Sequence, residues 1–229
     1  MCRECRRVFQ DNPPIVLSPV FFFKCAGTHS TSLHSWQRKG GHIIRSEHTR
    51  YVSSMAEYDK LAEKLDLVPC PHCRVTGCLN QHGKRRRYDE RTGEESICAA
   101  RVFCNNRGNM RGCGKTYPVV FIEWMSQYIV SCATLWVFLL ALLERSTIKD
   151  AWESATSAFC LDTGYKLRKA FIKSQSHIRT LLGQLGPPAR INNITDPVLQ
   201  TIEHLRTAFP SSPCPISAFQ IRFQRAFLS

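Results

Sequence analysis

Cys70-Pro-His-Cys73, followed by Cys104 and by Arg111-Gly-Cys-Gly-Lys115, is the stretch on which the fold turns. Two cysteines separated by two residues set two thiolates on one tight turn. The second pair lies a hairpin further on, with glycine on both sides of Cys113. Zn²⁺ takes four thiolate or imidazole ligands in a tetrahedron, and two such turns facing each other supply them. The spacing predicts a three-stranded zinc ribbon holding one structural Zn²⁺ through Cys70, Cys73, Cys104 and Cys113. Four protein ligands leave no open position for water, so such an ion holds a fold and does no chemistry. The second turn is long: eight residues, Asn105 to Gly112, separate its cysteines, where ribbons use about two to four. Two glycines and three asparagines there suit a polar loop that bulges outward. Cys78, Cys98, His72 and His82 are spare candidates, with Cys98 expected on a strand and pointing into a small core. A redox role for the first pair lacks the strand-then-helix setting that lowers a thiol pKa.

The 229 residues have room for one medium domain or two small ones, and the apolar content suffices for a core. The 31 basic residues against 18 acidic ones give +13, an excess that favours polyanions, nucleic acid first and anionic membrane second. Twelve cysteines would suit a secreted disulfide scaffold. No signal segment opens the chain, however, and the uneven cysteine spacing favours metal over disulfides, so a reducing cytosol is expected. Trp124 to Leu143 carries no formal charge, but Ser126, Gln127, Ser131 and Thr134 dilute its first half. Glu123 and Glu144 flank it where Lys or Arg anchors would stand. It reads as a buried helix and not as a membrane span.

Residues 1–54 mix Pro, Ser, Thr, Gly, His and isolated aromatics with no sustained period, apart from the strand-like Val20-Phe-Phe-Phe23. From Met55 the pattern becomes that of a short amphipathic helix. Residues 1–54 are therefore expected to be either an irregular arm or an upstream extension of a chain that starts naturally at Met55. Cys2-Arg-Glu-Cys5 has no convincing second pair there, although His29 and His34 could be recruited on paper. The ribbon occupies 55–118, closed by Tyr117-Pro118. A helical region follows over 119–186, with helices expected at Val119–Leu143, Thr147–Ala158 and Asp162–Gln184. Gly186-Pro-Pro188 is a break. Residues 187–229 form a linker and C-terminal helices: Thr195 is the expected cap and Pro197 the first-turn residue of the first of them. Ile216, Phe219, Phe223 and Phe227 fall on one face of the last. That amphipathic face is expected to dock on the body, or else on a partner protein.

Two basic features point to nucleic acid. Lys84, Arg85, Arg86 and Arg87 lie between the knuckles, where a ribbon has its first hairpin, with Tyr88 available for stacking. Arg101, Arg107, Arg111 and Lys115 could extend that surface, and phosphate contacts use this unselective charge. Thr147 to Lys173 reads as a helix-turn-helix. Cys160-Leu161 would pack in the turn, and Asp162 or Thr163 would cap the second helix. Thr163, Tyr165, Lys166, Arg168, Lys169 and Lys173 are its DNA-facing residues, backed by the apolar stripe Leu167, Phe171 and Ile172.

Cys70-Pro-His-Cys73, His82-Gly-Lys, Cys104 and Gly112-Cys-Gly-Lys-Thr-Tyr117, then a hydrophobic helix and a helix-turn-helix, resemble the N-terminal part of bacterial insertion-element transposases. They also resemble the stand-alone transposase-like proteins related to these. The likeness covers roughly Leu67 to Leu185. It implies zinc ligands at Cys70, Cys73, Cys104 and Cys113, and a DNA-facing helix beginning near Asp162. The catalytic core of such enzymes needs three carboxylates on a nuclease-like fold. Beyond the helix-turn-helix this chain has only Asp196 and Glu203, on one expected helix.

The expected fold is thus a small α+β one, a zinc ribbon followed by a mostly helical region. The expected function is that of a DNA-binding protein with structural zinc, a transposase-related accessory protein or regulator and not an enzyme. It would be cytoplasmic, associated with a bacterial nucleoid. An interaction adaptor, with the ribbon as a structural knob and helices that bind protein, is the alternative.

Overall fold

A computed structural model describes residues 49–90, 92–144, 146–188 and 195–228. The Cys2/Cys5 pair, the Val20–Phe23 run and His29 and His34 lie outside them. The elements are β1 (Arg50–Val52), α1 (Met55–Ala62), β2 (Leu79–Tyr88), β3 (Glu95–Cys104), β4 (Thr116–Phe121), α2 (Cys132–Leu143), α3 (Ile148–Ala155), α4 (Leu161–Leu182), α5 (Pro197–Ala208) and α6 (Pro215–Phe223). This is a small α+β protein with a four-stranded sheet in the order β1-β4-β3-β2.

The sheet has one strand more than expected. Arg50–Val52, inside the first 54 residues where the sequence shows no sustained period, pairs parallel with Val119–Phe121. Tyr51 and Val52 are completely buried. Three residues are too few for a periodicity, and their pairing partner lies some seventy positions downstream, so nothing local announces the strand. A second correction concerns Val119–Phe121, expected to open a long helix. Pro118 instead lies inside β4, opposite Arg101. On its other side β1 pairs only from Val119 onward, so the N–H that proline lacks is not called for. The β-branched Val119 and Val120, with the aromatic Phe121, then continue the strand between two neighbours.

The helix itself starts at Cys132, where Ser131 accepts the Thr134 N–H at 3.1 Å. Its twelve residues bury Leu135, Trp136, Phe138, Leu139 and Leu142, which accounts for the apolar run. At about 18 Å it falls well short of the bilayer's hydrocarbon core, and no helix among the described residues is long and apolar enough to cross a membrane.

Caps set the remaining boundaries. The Thr147 hydroxyl accepts the Asp150 N–H and opens α3. Asp196, not Thr195, caps α5 through the Val198 N–H, with Pro197 in the first turn as expected. Neither Asp162 nor Thr163 caps α4; the residue before the helix is Cys160, which makes no side-chain capping bond. At the end of α6, Gln224 takes a left-handed conformation (φ 50°) that turns the chain back. Phe227 thereby stacks on Phe171 at 5.8 Å and meets Phe219 edge-on at 5.4 Å. Ile216, Phe219 and Phe227 are fully buried and Phe223 is half-buried, with Phe227 lying beyond the end of the helix on whose face it was expected.

Two apolar clusters result, one under the sheet and one among α2 to α6. Side chains stitch them together. The Gln220 amide donates to the Ile122 and Trp124 carbonyls, and the Glu90 carboxylate accepts the Ser131 N–H at 2.8 Å.

Candidate metal centre and basic surfaces

The four cysteines that the sequence singled out converge. The sulfurs of Cys70, Cys73, Cys104 and Cys113 all lie within 4.8 Å of one another. Cys70 is 3.8 Å from Cys113, and Cys73 is 3.7 Å from Cys104. A tetrahedron with Zn–S bonds of about 2.3 Å has S···S edges of about 3.8 Å. The donor set therefore fits one tetrahedral ion, and these four residues would hold it.

Local backbone explains each pair. In the first knuckle the Arg74 N–H returns to the Cys70 carbonyl at 2.9 Å, with Arg74 left-handed at φ 63°. The His72 N–H points at the Cys70 sulfur at 3.4 Å, which offsets thiolate charge. The second knuckle resolves the problem of its length. The Gly112 N–H donates to the Asn105 carbonyl at 2.9 Å, sealing the base of the loop. Cys104-Asn105 and Gly112-Cys113 then behave as a C-x-x-C turn, with residues 106–111 looped out between its two middle positions. The Cys113 N–H reaches the Cys104 sulfur at 3.2 Å, a second N–H to sulfur contact in the cluster beside that of His72 on Cys70. Gly112 is obligatory here: a Cβ would sit 2.1 Å from the Asn105 oxygen and 2.8 Å from the Cys104 sulfur. Gly114, left-handed at φ 71°, closes the turn against the Asn106 side chain.

Protonation differs across the set. Backbone hydrogen bonding at Val75, with help from the neighbouring thiols, draws the Cys73 thiol down to about 7, whereas burial pushes Cys104 and Cys113 up. A metal would bring its own charge and deprotonate all four. Of the spare ligands, His72 and His82 are not in the cluster. Cys98 is buried and donates to the Arg85 carbonyl. Cys78 is also outside the four but touches them, its sulfur 3.3 Å from that of Cys104.

The basic run divides. Lys84, Arg85 and Arg86 stand exposed on β2, the outer strand of the sheet. Lys84 lies over the Tyr58 ring, and Arg86 pairs with Glu95 at 2.8 Å. Arg87 belongs elsewhere. Its guanidinium donates to the Met125 and Tyr128 carbonyls and lies over the Trp124 ring. It pins the loop ahead of α2, and burial depresses its pKa. Arg101, Arg107, Arg111 and Lys115 are all exposed.

The proposed two-helix unit is also divided. The Trp152 indole N–H donates to the Phe159 and Cys160 carbonyls, fixing the turn between α3 and α4. Gly164 lies against Trp152 so closely that a Cβ would come within 2.8 Å of the ring. Tyr165, Lys169 and Lys173 face solvent along α4. Arg168 is half-buried, as are Thr163, whose hydroxyl meets the Cys160 sulfur, and Lys166, which pairs with Asp162. Ile172, placed in the buried stripe by the sequence, is instead exposed, while Leu167 and Phe171 are buried. His82, a spare ligand candidate in the sequence, instead forms a ring pair with Phe103 on the sheet; sequence reasoning missed Phe103, which the alternation of β3 could have placed, but the strand irregularity at His82 left no trace in the pattern.

No protein-family model matches the chain, and neither a curated protein nor a solved structure matches it.

Proposed function

We propose that the chain is a DNA-binding protein whose four cysteines hold one structural Zn²⁺, and whose helix α4 meets the duplex. The observation that carries this reading is the exposed stripe Tyr165, Lys169 and Lys173, spaced i, i+4, i+8 on α4. Those residues lie on the opposite side from Leu167 and Phe171, which anchor the helix in the core. A groove-reading helix has this division, with a rigid apolar back and a basic outer face. The turn fixed by Trp152 and the tight seat of Gly164 support a helix-turn-helix, and Lys84, Arg85 and Arg86 supply further phosphate contacts. The likeness to insertion-element transposases gives the reading its biological frame, an accessory protein or regulator that binds and does not cut. Thiolates, not carboxylates, make the only metal-sized cluster among the described residues, and they leave no coordination position for a reacting water.

The test is duplex binding across a salt series. The affinity should fall steeply with salt, and Lys169→Glu with Lys173→Glu should abolish it while the zinc content stays at one. Binding that ignores salt and survives both reversals would refute the reading.

A further inference from the structure

A second surface lies on the sheet, away from α4. The ladder between β2 and β3 breaks after Gln81, which pairs with Val102, and resumes at Lys84, which pairs with Ala100. Two residues, His82 and Gly83, therefore stand opposite Arg101 alone. This is a β-bulge, a device that re-aims a side chain. Here Gly83 takes φ 91°, and the His82 ring swings against Phe103, centroids 5.5 Å apart and planes tilted by 38°. Arg101 and Phe103 lie on one face of β3 by alternation, while Val102 and Cys104 point to the metal side. The Arg101 guanidinium reaches to 4.0 Å from where a Gly83 side chain would begin. His82, Arg101 and Arg85 are exposed and Phe103 is half-buried. An exposed and a half-buried aromatic ring thus lie together on a sheet, flanked by two guanidinium groups that form no salt bridge with a carboxylate among the described residues.

We propose that this face binds single-stranded nucleic acid, with an unpaired base stacked on Phe103 and His82 and its phosphates held by Arg101 and Arg85. The chemistry of the patch selects that ligand. Flat rings beside cations match a base next to its phosphate, and the chain's +13 charge attracts the polyanion. Bases in a duplex are already stacked on each other and cannot lie flat on a sheet. The assignment rests on the nucleic-acid reading above and adds a strand-separated ligand on a surface distinct from α4.

The experiment measures the zinc-loaded full chain against a dye-labelled twelve-nucleotide oligothymidine and, separately, a twenty-base-pair duplex at the same salt. His82→Ala combined with Arg101→Gln changes only exposed side chains, and zinc content verifies its fold. It should weaken oligothymidine by about tenfold or more and the duplex far less. Phe103→Trp should keep the binding and show quenching of the new indole as the base stacks. Lys169→Glu with Lys173→Glu should do the reverse, losing the duplex and keeping the single strand. Duplex binding without oligothymidine binding would overturn the sheet assignment and spare the reading of α4. Binding of neither would overturn both. Oligothymidine binding that is untouched in the His82/Arg101 variant, with no quenching at Trp in position 103, would also overturn the sheet assignment.

Discussion

The side-chain amide of Gln224 hydrogen-bonds both backbone groups of Tyr51, accepting its N–H at 2.9 Å and donating to its carbonyl at 3.1 Å. A single side chain thus serves the edge of β1 as a neighbouring strand would, across 173 positions of sequence. With Gln220 on the Ile122 and Trp124 carbonyls, the end of α6 clasps the first strand and the chain beyond the last one. The left-handed turn at Gln224 aims the amide.

Gln224→Ala strips two partners from a buried backbone and should cost about 1–3 kcal/mol. A chain started at Met55 lacks β1 and leaves the Val119–Phe121 edge bare, so it should unfold at markedly lower urea than the full chain. Both are read from urea melts of the zinc-loaded protein. If the shortened chain is as stable as the full one, the clasp contributes nothing.

Cys70, Cys73, Cys104 and Cys113 should each be needed for stoichiometric metal, and chelation should melt the sheet around them. Cys78→Ser should keep one ion per chain, since that sulfur lies outside the four. Gly112→Ala should lose metal through the contacts its methyl would make with Asn105 and Cys104. Deleting residues 106–111 should retain metal, because Asn105 and Gly112 already stand side by side. Metal analysis with a thiol count checks all of these.

Gly164→Ala would ordinarily favour a helix by about 1 kcal/mol. Here the methyl would press into the Trp152 ring, so the sign reverses and a loss of about 1–3 kcal/mol is expected. Thermal melts decide it, and a stabilised variant would show that α3 and α4 can separate freely.

Burial holds the imidazoles of His177 and His204 below their usual pKa; nearby Arg225 adds to this at His177, while at His204 the Gly186 carbonyl opposes it. The unfolded chain takes up these protons at about pH 6.5 and the folded chain only at lower pH. Stability from these groups is therefore complete above about pH 6.5 and falls as pH drops toward the folded values. His204→Gln keeps a donor for the Gly186 carbonyl and should flatten the slope between pH 7.5 and pH 5.5, measured by urea melts at each pH. An unchanged slope would remove His204 from the acid response.

Arg85 and Arg87 stand two positions apart in sequence and should separate in experiment. Arg87→Ala breaks the bonds to the Met125 and Tyr128 carbonyls and should lower the melting temperature with little effect on nucleic-acid affinity. Arg85→Ala should do the opposite, so a melt and a binding isotherm on each variant settle the division.

How far the sequence could be read depended on the range of the interaction. Thr147, Pro197 and the Gly186-Pro-Pro188 break act within a turn of their own position, and the helices they bound lie close to where the pattern places them. The four clustered cysteines were legible for the same reason, because ligand chemistry restricts residue type and spacing together. Strand β1, the strand identity of Val119–Phe121 and the inward turn of Arg87 were not, since each is decided by a partner distant in the chain. The eight-residue gap before Cys113 looked like a fault in the metal site. The single hydrogen bond from Gly112 to Asn105 that removes the difficulty has no sequence signature beyond one glycine.

That sealed base also makes residues 106–111 a graft point. Both ends of the segment are anchored side by side, and its middle is exposed, so a peptide tag, a fluorophore-bearing cysteine or a foreign recognition loop could replace it without altering the distance between the two ligands. Surface loops whose ends meet accept insertions at small thermodynamic cost. The knuckle is therefore a docking port on the protein for added function, as well as a support for its fold.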